Sequence, residues 1–128
     1  MANLDSSFLI DLLDGDPAAV AKAAQLDREG IARFITAPAA AEVLIGGFLL
    51  GGNYLARTQQ LVDALPVLPF DREACHRAGE LGAELLRRGT PISQSDLFIA
   101  ALSMRHGESL ISRDRAFSRV PGLLLEPY

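Results

Sequence analysis

Cysteine, lysine and tryptophan are nearly absent: Cys75 and Lys22 stand alone in 128 residues, and there is no tryptophan. A single cysteine excludes an internal disulfide framework and fits a reducing compartment. With one lysine, almost all positive charge is arginine, which suits bidentate phosphate contact. The net charge of −4 argues at first sight against a nucleic-acid binder. Part of the acid count can sit around a bound metal, which would reduce the local negative charge. No apolar run approaches the ~20 residues that cross a bilayer, so no membrane association is expected. The first residues lack a basic stretch followed by an apolar run and a small-residue cleavage site, so the expected location is the cytoplasm. Linkers, low-complexity tracts, long charge blocks and internal repeats are also missing, and one domain over residues 1–128 is expected.

Hydrophobic residues make up 49% of the chain, enough for a sizeable core. Short apolar segments alternate with helical ones. Met1 to Asp5 reads as a buried strand and SSFLIDLLDG as a short helix. Asp16-Pro17 is a strong restart signal, an N-cap followed by proline at the first helical position. That helix stops at Gly30, and IARFI is the second strand. Thr36 caps a helix that carries Glu42 about one turn on and breaks at Gly51-Gly52. Asn53 opens the next helix, which reaches Pro66, and Val67 to Phe70 is a strand. Asp71 caps a long helix ended by Gly89. Ser93 or Ser95 starts another, ended by Gly107. SLIS is a strand, Arg113 to Arg119 a turn or short helix, and GLLLE the last strand. Short, apolar, unalternating strands between helices predict an α/β fold, with a central parallel sheet of four or five strands and helices on both faces.

Three acids stand alone in apolar surroundings. Asp5 is the only charged side chain among the first ten residues, Glu42 the only one between Arg33 and Arg57, and Asp96 the only one between Arg88 and Arg105. Isolated carboxylates in such settings are costly unless compensated. Asp5 ends the first strand, Asp114 follows SLIS closely, and Glu42 and Asp96 lie in early turns of helices. In parallel sheets, sites gather at the carboxyl ends of strands, so one shared rim and a divalent cation are expected. Taken singly, Asp5, Asp96 and Asp114 fit a cap or turn role equally well. Glu42 lies beyond the first turn and fits capping less well.

LDSSFLIDLL resembles the opening D-x-S/N-x-L/I segment of PIN-domain ribonucleases. AAAEVLIGG is similar to that family's helical E-L/V-x-x-G motif. PISQSDLFIAALSMRHGESLISRDRAFSRVPGLLL resembles its C-terminal half, with D-x-x-I-A-A, a glycine, a strand ending T/S-x-D/N, a phenylalanine and a closing strand. The ordered set spans nearly the whole chain, and the VapC-like toxins of VapBC toxin–antitoxin pairs are the subgroup it most resembles. The resemblance implies a single PIN-like domain and an endoribonuclease whose Asp5, Glu42, Asp96 and Asp114 form a Mg²⁺ or Mn²⁺ site. Ser7 and Ser112 match the small polar residues that support the first and last acids. The resemblance also implies a VapB-like antitoxin that occludes the acidic pocket, and a homodimer. One departure is Gln94, where many relatives carry a further acid; it bears on the number of metal ions more than on the reaction class.

Carboxylate and water oxygens suit Mg²⁺, and a bound dication relieves repulsion between clustered acids. The expected reaction is hydrolysis of an RNA phosphodiester by metal-activated water, with Asp5, Asp96 and Asp114 as the nearer ligands and Glu42 acting through water or positioning the nucleophile. Arg113 and Arg115 flank Asp114 and read equally as phosphate contacts or as ordinary surface charge. GGFLLGGNYL and its flanking apolar helices suggest an association surface. His76 and His106 read as structural, Cys75 as a partly buried apolar residue, Asp71 as an N-cap, and Asp11, Asp14 and Asp16 as solvated or capping acids. The alternative function is a catalytically inactive PIN-like RNA- or protein-binding module. A phospho-acceptor domain would want adjacent early acids and a late lysine, and a haloacid-dehalogenase-type phosphatase would want an acid where Ser7 stands.

Overall fold

A computed structural model describes residues 1–128. The chain runs β1 (Ala2–Leu4), α1 (Ser6–Leu13), α2 (Pro17–Arg28), β2 (Arg33–Thr36), α3 (Ala37–Leu50), α4 (Gly52–Asp63), β3 (Val67–Leu68), α5 (Arg72–Arg87), α6 (Gln94–Arg105), β4 (Ser109–Ile111), a 3₁₀ turn (Arg115–Arg119) and β5 (Leu125–Glu126). All strand pairs are parallel, and the sheet order is β3-β2-β1-β4-β5. The expected fold class is the one observed. No helix is long and apolar enough to cross a membrane.

Side-chain alternation along the strands divides the core into two layers. Ala2, Leu4, Ile35 and Ile111 pack with Phe8 and Leu9 of α1, Leu26 of α2, Val43 of α3 and Val62 of α4. Leu110 faces the other way, against Leu81 and Leu85 of α5, Ile99 and Ala100 of α6, and Phe117. Asn3 lies on this second face, fully buried in the central strand, and donates to the hydroxyl of Ser103 on α6. The first four helices therefore cover one face, and α5 with α6 covers the other.

Helix starts follow local chemistry. The carboxylate of Asp16 accepts from the Ala19 N–H (3.1 Å), the Thr36 hydroxyl from Ala39 (3.3 Å), and the carboxylate of Asp71 from Ala74 (3.0 Å). Ser93, not Ser95, caps α6, accepting from the Asp96 N–H at 3.2 Å. β3 is shorter than expected because Pro69 offers no N–H to the ladder. Gly51, at φ +66°, lets the chain leave α3 and enter α4 with no connecting loop. Below it, α3 and α4 close on each other at Gly47, where a Cβ would stand 2.9 Å from Thr58 Cγ2. Only hydrogen fits there.

β1 lies between β2 and β4, so the connections leaving β1 and entering β4 run to opposite sides of it. The carboxyl ends of β1 and β4, at this change of direction, are the usual place for a site in a parallel sheet. Asp5 and Ser112 are the first residues past those two ends.

Candidate active site

Asp5 is almost wholly buried, at 2% exposure. It occupies the N-cap position of α1, yet its side chain caps nothing. Instead Oδ2 accepts from the hydroxyls of Ser7 and Ser112, each at 2.7 Å. The two hydroxyls lie 3.2 Å apart. Oδ1 is buried and has no hydrogen-bond partner. The structure thus brings Ser7 and Ser112, the two supporting residues read from sequence, onto the same carboxylate oxygen. Ser112 does a second job, accepting from the Asp114 N–H at 3.0 Å.

Glu42 projects from the second turn of α3. Its Oε2 accepts from the Ser6 hydroxyl at 2.9 Å, while Oε1 is buried and unpartnered. Ser6 carries no role in the sequence reading. Its only signal is adjacency to Asp5 in the pair Ser6-Ser7, whose hydroxyls serve two different acids. Asp96 sits in the first turn of α6 and is half-buried. Asp114 caps the 3₁₀ turn with Oδ1, which accepts from the Ala116 N–H at 2.9 Å. The cap reading of Asp114 therefore holds for one of its oxygens.

Glu42 and Asp96 feel the charges of the other acids. Burial, first, raises the pKa of Glu42; the Ser6 hydroxyl opposes this, and the charges of Asp5 and Asp114 add to it. Asp96 is pushed up to about 6, again mainly by burial, against the Ser93 hydrogen bond and with repulsion from Asp114, Asp5 and Glu42. As the side chains stand, no three His, Cys, Asp or Glu groups converge closely enough to grip an ion. The rim is an open set of oxygens. This suits a cation that keeps several of its waters and takes only one or two carboxylates directly. Two buried oxygens without hydrogen, on Asp5 and Glu42, and an all-oxygen donor set fit such an ion.

The sign of the titration follows from these shifts. An unfolded Asp titrates near about 3.9, so folding without metal favours the protonated form of Asp96. Its contribution to stability is complete below that value and is lost as pH rises through about 6. In EDTA, Asp96→Asn should therefore melt above the wild type at about pH 7.5, with the gap closing toward about pH 4.5. Calorimetry of both proteins across that range checks it; a gap independent of pH would refute the assignment.

Other residues fall outside the rim. Gln94 is exposed at the start of α6. Arg115 is exposed, and Arg113, also exposed, forms a salt bridge with Asp11, Nε to Oδ2 at 3.2 Å. The expectation that Asp11 is solvated or capping is wrong. It lies buried on α1 and accepts from the Tyr128 hydroxyl at 2.6 Å. Cys75 is exposed rather than partly buried. The buried stripe of α5 runs through Ala74, Ala78, Leu81 and Leu85, and Cys75 is one step of about 100° off it. His76 and His106 are exposed. The largest surface depression, about 650 Å³, lies on α5 between Arg72, Cys75, His76, Gly79 and Glu80, away from the acids.

A five-stranded parallel sheet with an acidic rim at its carboxyl edge defines an α/β domain of the PIN type. The PIN domain family matches residues 3–123, and the chain belongs to that family. Among curated proteins, it is 33% identical over 75 residues to the tRNA(fMet)-specific endonuclease VapC of Salmonella typhimurium, a match covering 58% of this chain and 57% of that protein. It is 27% identical over 128 residues to the protein of the same name from Shigella flexneri, covering 98% of this chain and 96% of the relative. Among solved structures, DNA-bound VapBC from Salmonella typhimurium superposes with a TM-score of 0.88 at 26% identity, covering 98% of this chain and 96% of that one.

Proposed function

We propose that this chain is a divalent-metal-dependent endoribonuclease and the toxin of a toxin–antitoxin pair, with Mg²⁺ or Mn²⁺ as the ion. The observation that carries the reading is the pair of unpartnered buried oxygens, Asp5 Oδ1 and Glu42 Oε1, beside two further acids that repel them. A fold that leaves these oxygens without hydrogens is built for a cation. Asp5, Asp96 and Asp114 would hold it, with Glu42 further out. Bound there, it would supply positive charge for the scissile phosphate and a more acidic water.

The protein's own residues do the positioning. Ser7 and Ser112 occupy Oδ2 of Asp5, which fixes the carboxylate plane and directs Oδ1 to the rim. Ser6 does the same for Glu42. Glu42, as the ionised carboxylate, would take a proton from the attacking water. The new P–O bond forms to that water, and the bond to the leaving ribose oxygen breaks. The VapC relatives named for tRNA(fMet) make initiator tRNA the first substrate to test. The VapBC complexes supply the partner, a VapB-like antitoxin. Ile45, Phe48, Leu49 and Leu50 are all more than half exposed on the end of α3, the surface we assign to pairing with a second copy.

Purified protein should cut initiator tRNA with added Mg²⁺ or Mn²⁺, stop in EDTA, and resume when the ion is restored in excess. Cleavage indifferent to both would overturn metal dependence. RNA binding without cleavage under any divalent ion would favour the inactive binding module.

A further inference from the structure

Asp11 lies outside the acidic rim yet pairs with a residue that flanks it, and Tyr128 stands against both Asp11 and the Ser7 hydroxyl. Asp11 is a buried carboxylate on α1, one and a half turns past Asp5. Its Oδ2 accepts from the Tyr128 hydroxyl at 2.6 Å and lies 3.2 Å from Nε of Arg113. The Tyr128 ring is held in turn, edge-on to the buried Phe8 with centroids 4.9 Å apart. Arg113 is the residue between Ser112, which bonds Asp5, and Asp114.

The Arg113 side chain is 60% exposed while that of Asp11 is 8% exposed. A surface arginine ordinarily swings over many rotamers, and holding it costs entropy. Here the inner guanidinium nitrogen is ion-paired with Asp11 at 3.2 Å, and Nη1 and Nη2 take no part in that pair. Those two outer groups together present four N–H donors, a planar fork that matches two phosphate oxygens. Ordering the arginine before the ligand arrives lowers the entropy lost on binding.

We propose that Asp11, backed by Tyr128, is a positioning residue that presets Arg113 as a phosphate anchor at the edge of the acidic rim. The ligand is an RNA backbone phosphate next to the one cleaved. This inference rests on the ribonuclease reading for the identity of the ligand. It carries a counter-intuitive sign. Asp11→Asn removes a negative charge from a protein that binds a polyanion, so charge alone predicts tighter binding. Loss of positioning predicts weaker binding.

The test uses the full chain in EDTA and a fluorescein-labelled initiator tRNA followed by anisotropy over a salt series. Arg113→Ala should weaken binding about tenfold and reduce the salt slope by about one. Asp11→Asn and Tyr128→Phe should each weaken it about threefold to fivefold, and neither should weaken it further in the Arg113→Ala background. With metal restored, Arg113→Ala and Asp11→Asn should raise KM and leave kcat near the wild-type value. In nitrogen-15 relaxation measurements on the free protein, the Arg113 Nε–H should be ordered in the wild type and mobile in Asp11→Asn. Unchanged or tighter binding by Asp11→Asn, or an equal penalty with and without Arg113, would overturn the proposal. A wild type that shows the coupling but cleaves nothing would instead overturn the ribonuclease reading and leave the positioning intact.

Discussion

Asp5→Asn should lower kcat for RNA cleavage by about a thousandfold or more and leave the fold in place. The amide is isosteric, and serine hydroxyls both donate and accept. Ser7 and Ser112 can therefore turn to meet it as they now meet Oδ2. What the substitution removes is the charge on a buried carboxylate whose other oxygen faces no hydrogen. It also removes one of the charges that repel Glu42 and Asp96. In EDTA the variant should therefore melt no lower than the wild type while its activity collapses. Paired melting and single-turnover measurements separate the two effects. Retention of a tenth or more of the wild-type kcat would remove Asp5 from the reaction.

The second large effect is on stability. Phe8→Ala should cost about 3–5 kcal/mol, read as a fall in the urea midpoint with little change in slope. Phe8 is fully buried in the layer formed by α1 with β1 and the three following helices. Its ring also supports Tyr128. A void there would loosen the helix that presents Asp5, Ser6, Ser7 and Asp11 together, so surviving folded protein should also bind RNA less tightly. A cost below about 1 kcal/mol would mean the site collapses around the loss, and that α1 is anchored by other contacts.

Much of this architecture was legible in the residues. Asp16-Pro17, Thr36 with Pro38, and Asp71 each mark a helix start by a local chemical rule, and each side chain accepts the expected backbone N–H. Strand and helix order followed from apolar runs and glycine stops. The isolation of Asp5, Glu42 and Asp96 in apolar sequence pointed to one pocket, and their mutual charge effects are those of neighbours. Less legible was whatever depends on contacts distant in sequence. The D-x-S/N motif points to Ser7 and passes over Ser6, yet α1 turns Ser6 toward Glu42 as it turns Ser7 toward Asp5. Asp11 looks like any helix-surface acid until Tyr128, 117 residues on, covers it. The exposure of Cys75 depends on which stripe of α5 meets the sheet, and alanines with two leucines, not the cysteine, make that stripe.

The sheet order has a consequence in time. β1 is the central strand, and its partner β4 lies about a hundred residues further along the chain; the Ser7 and Ser112 hydroxyls that meet on Asp5 are 105 positions apart. At ~5–20 residues per second, a ribosome needs on the order of 5–20 s to travel that distance. Throughout that interval the first acid is already synthesised while half of its setting does not yet exist. Contacts of such long range also form late in folding. Translation thus yields an inert chain first, and the acidic rim closes only once β4 has docked beside β1.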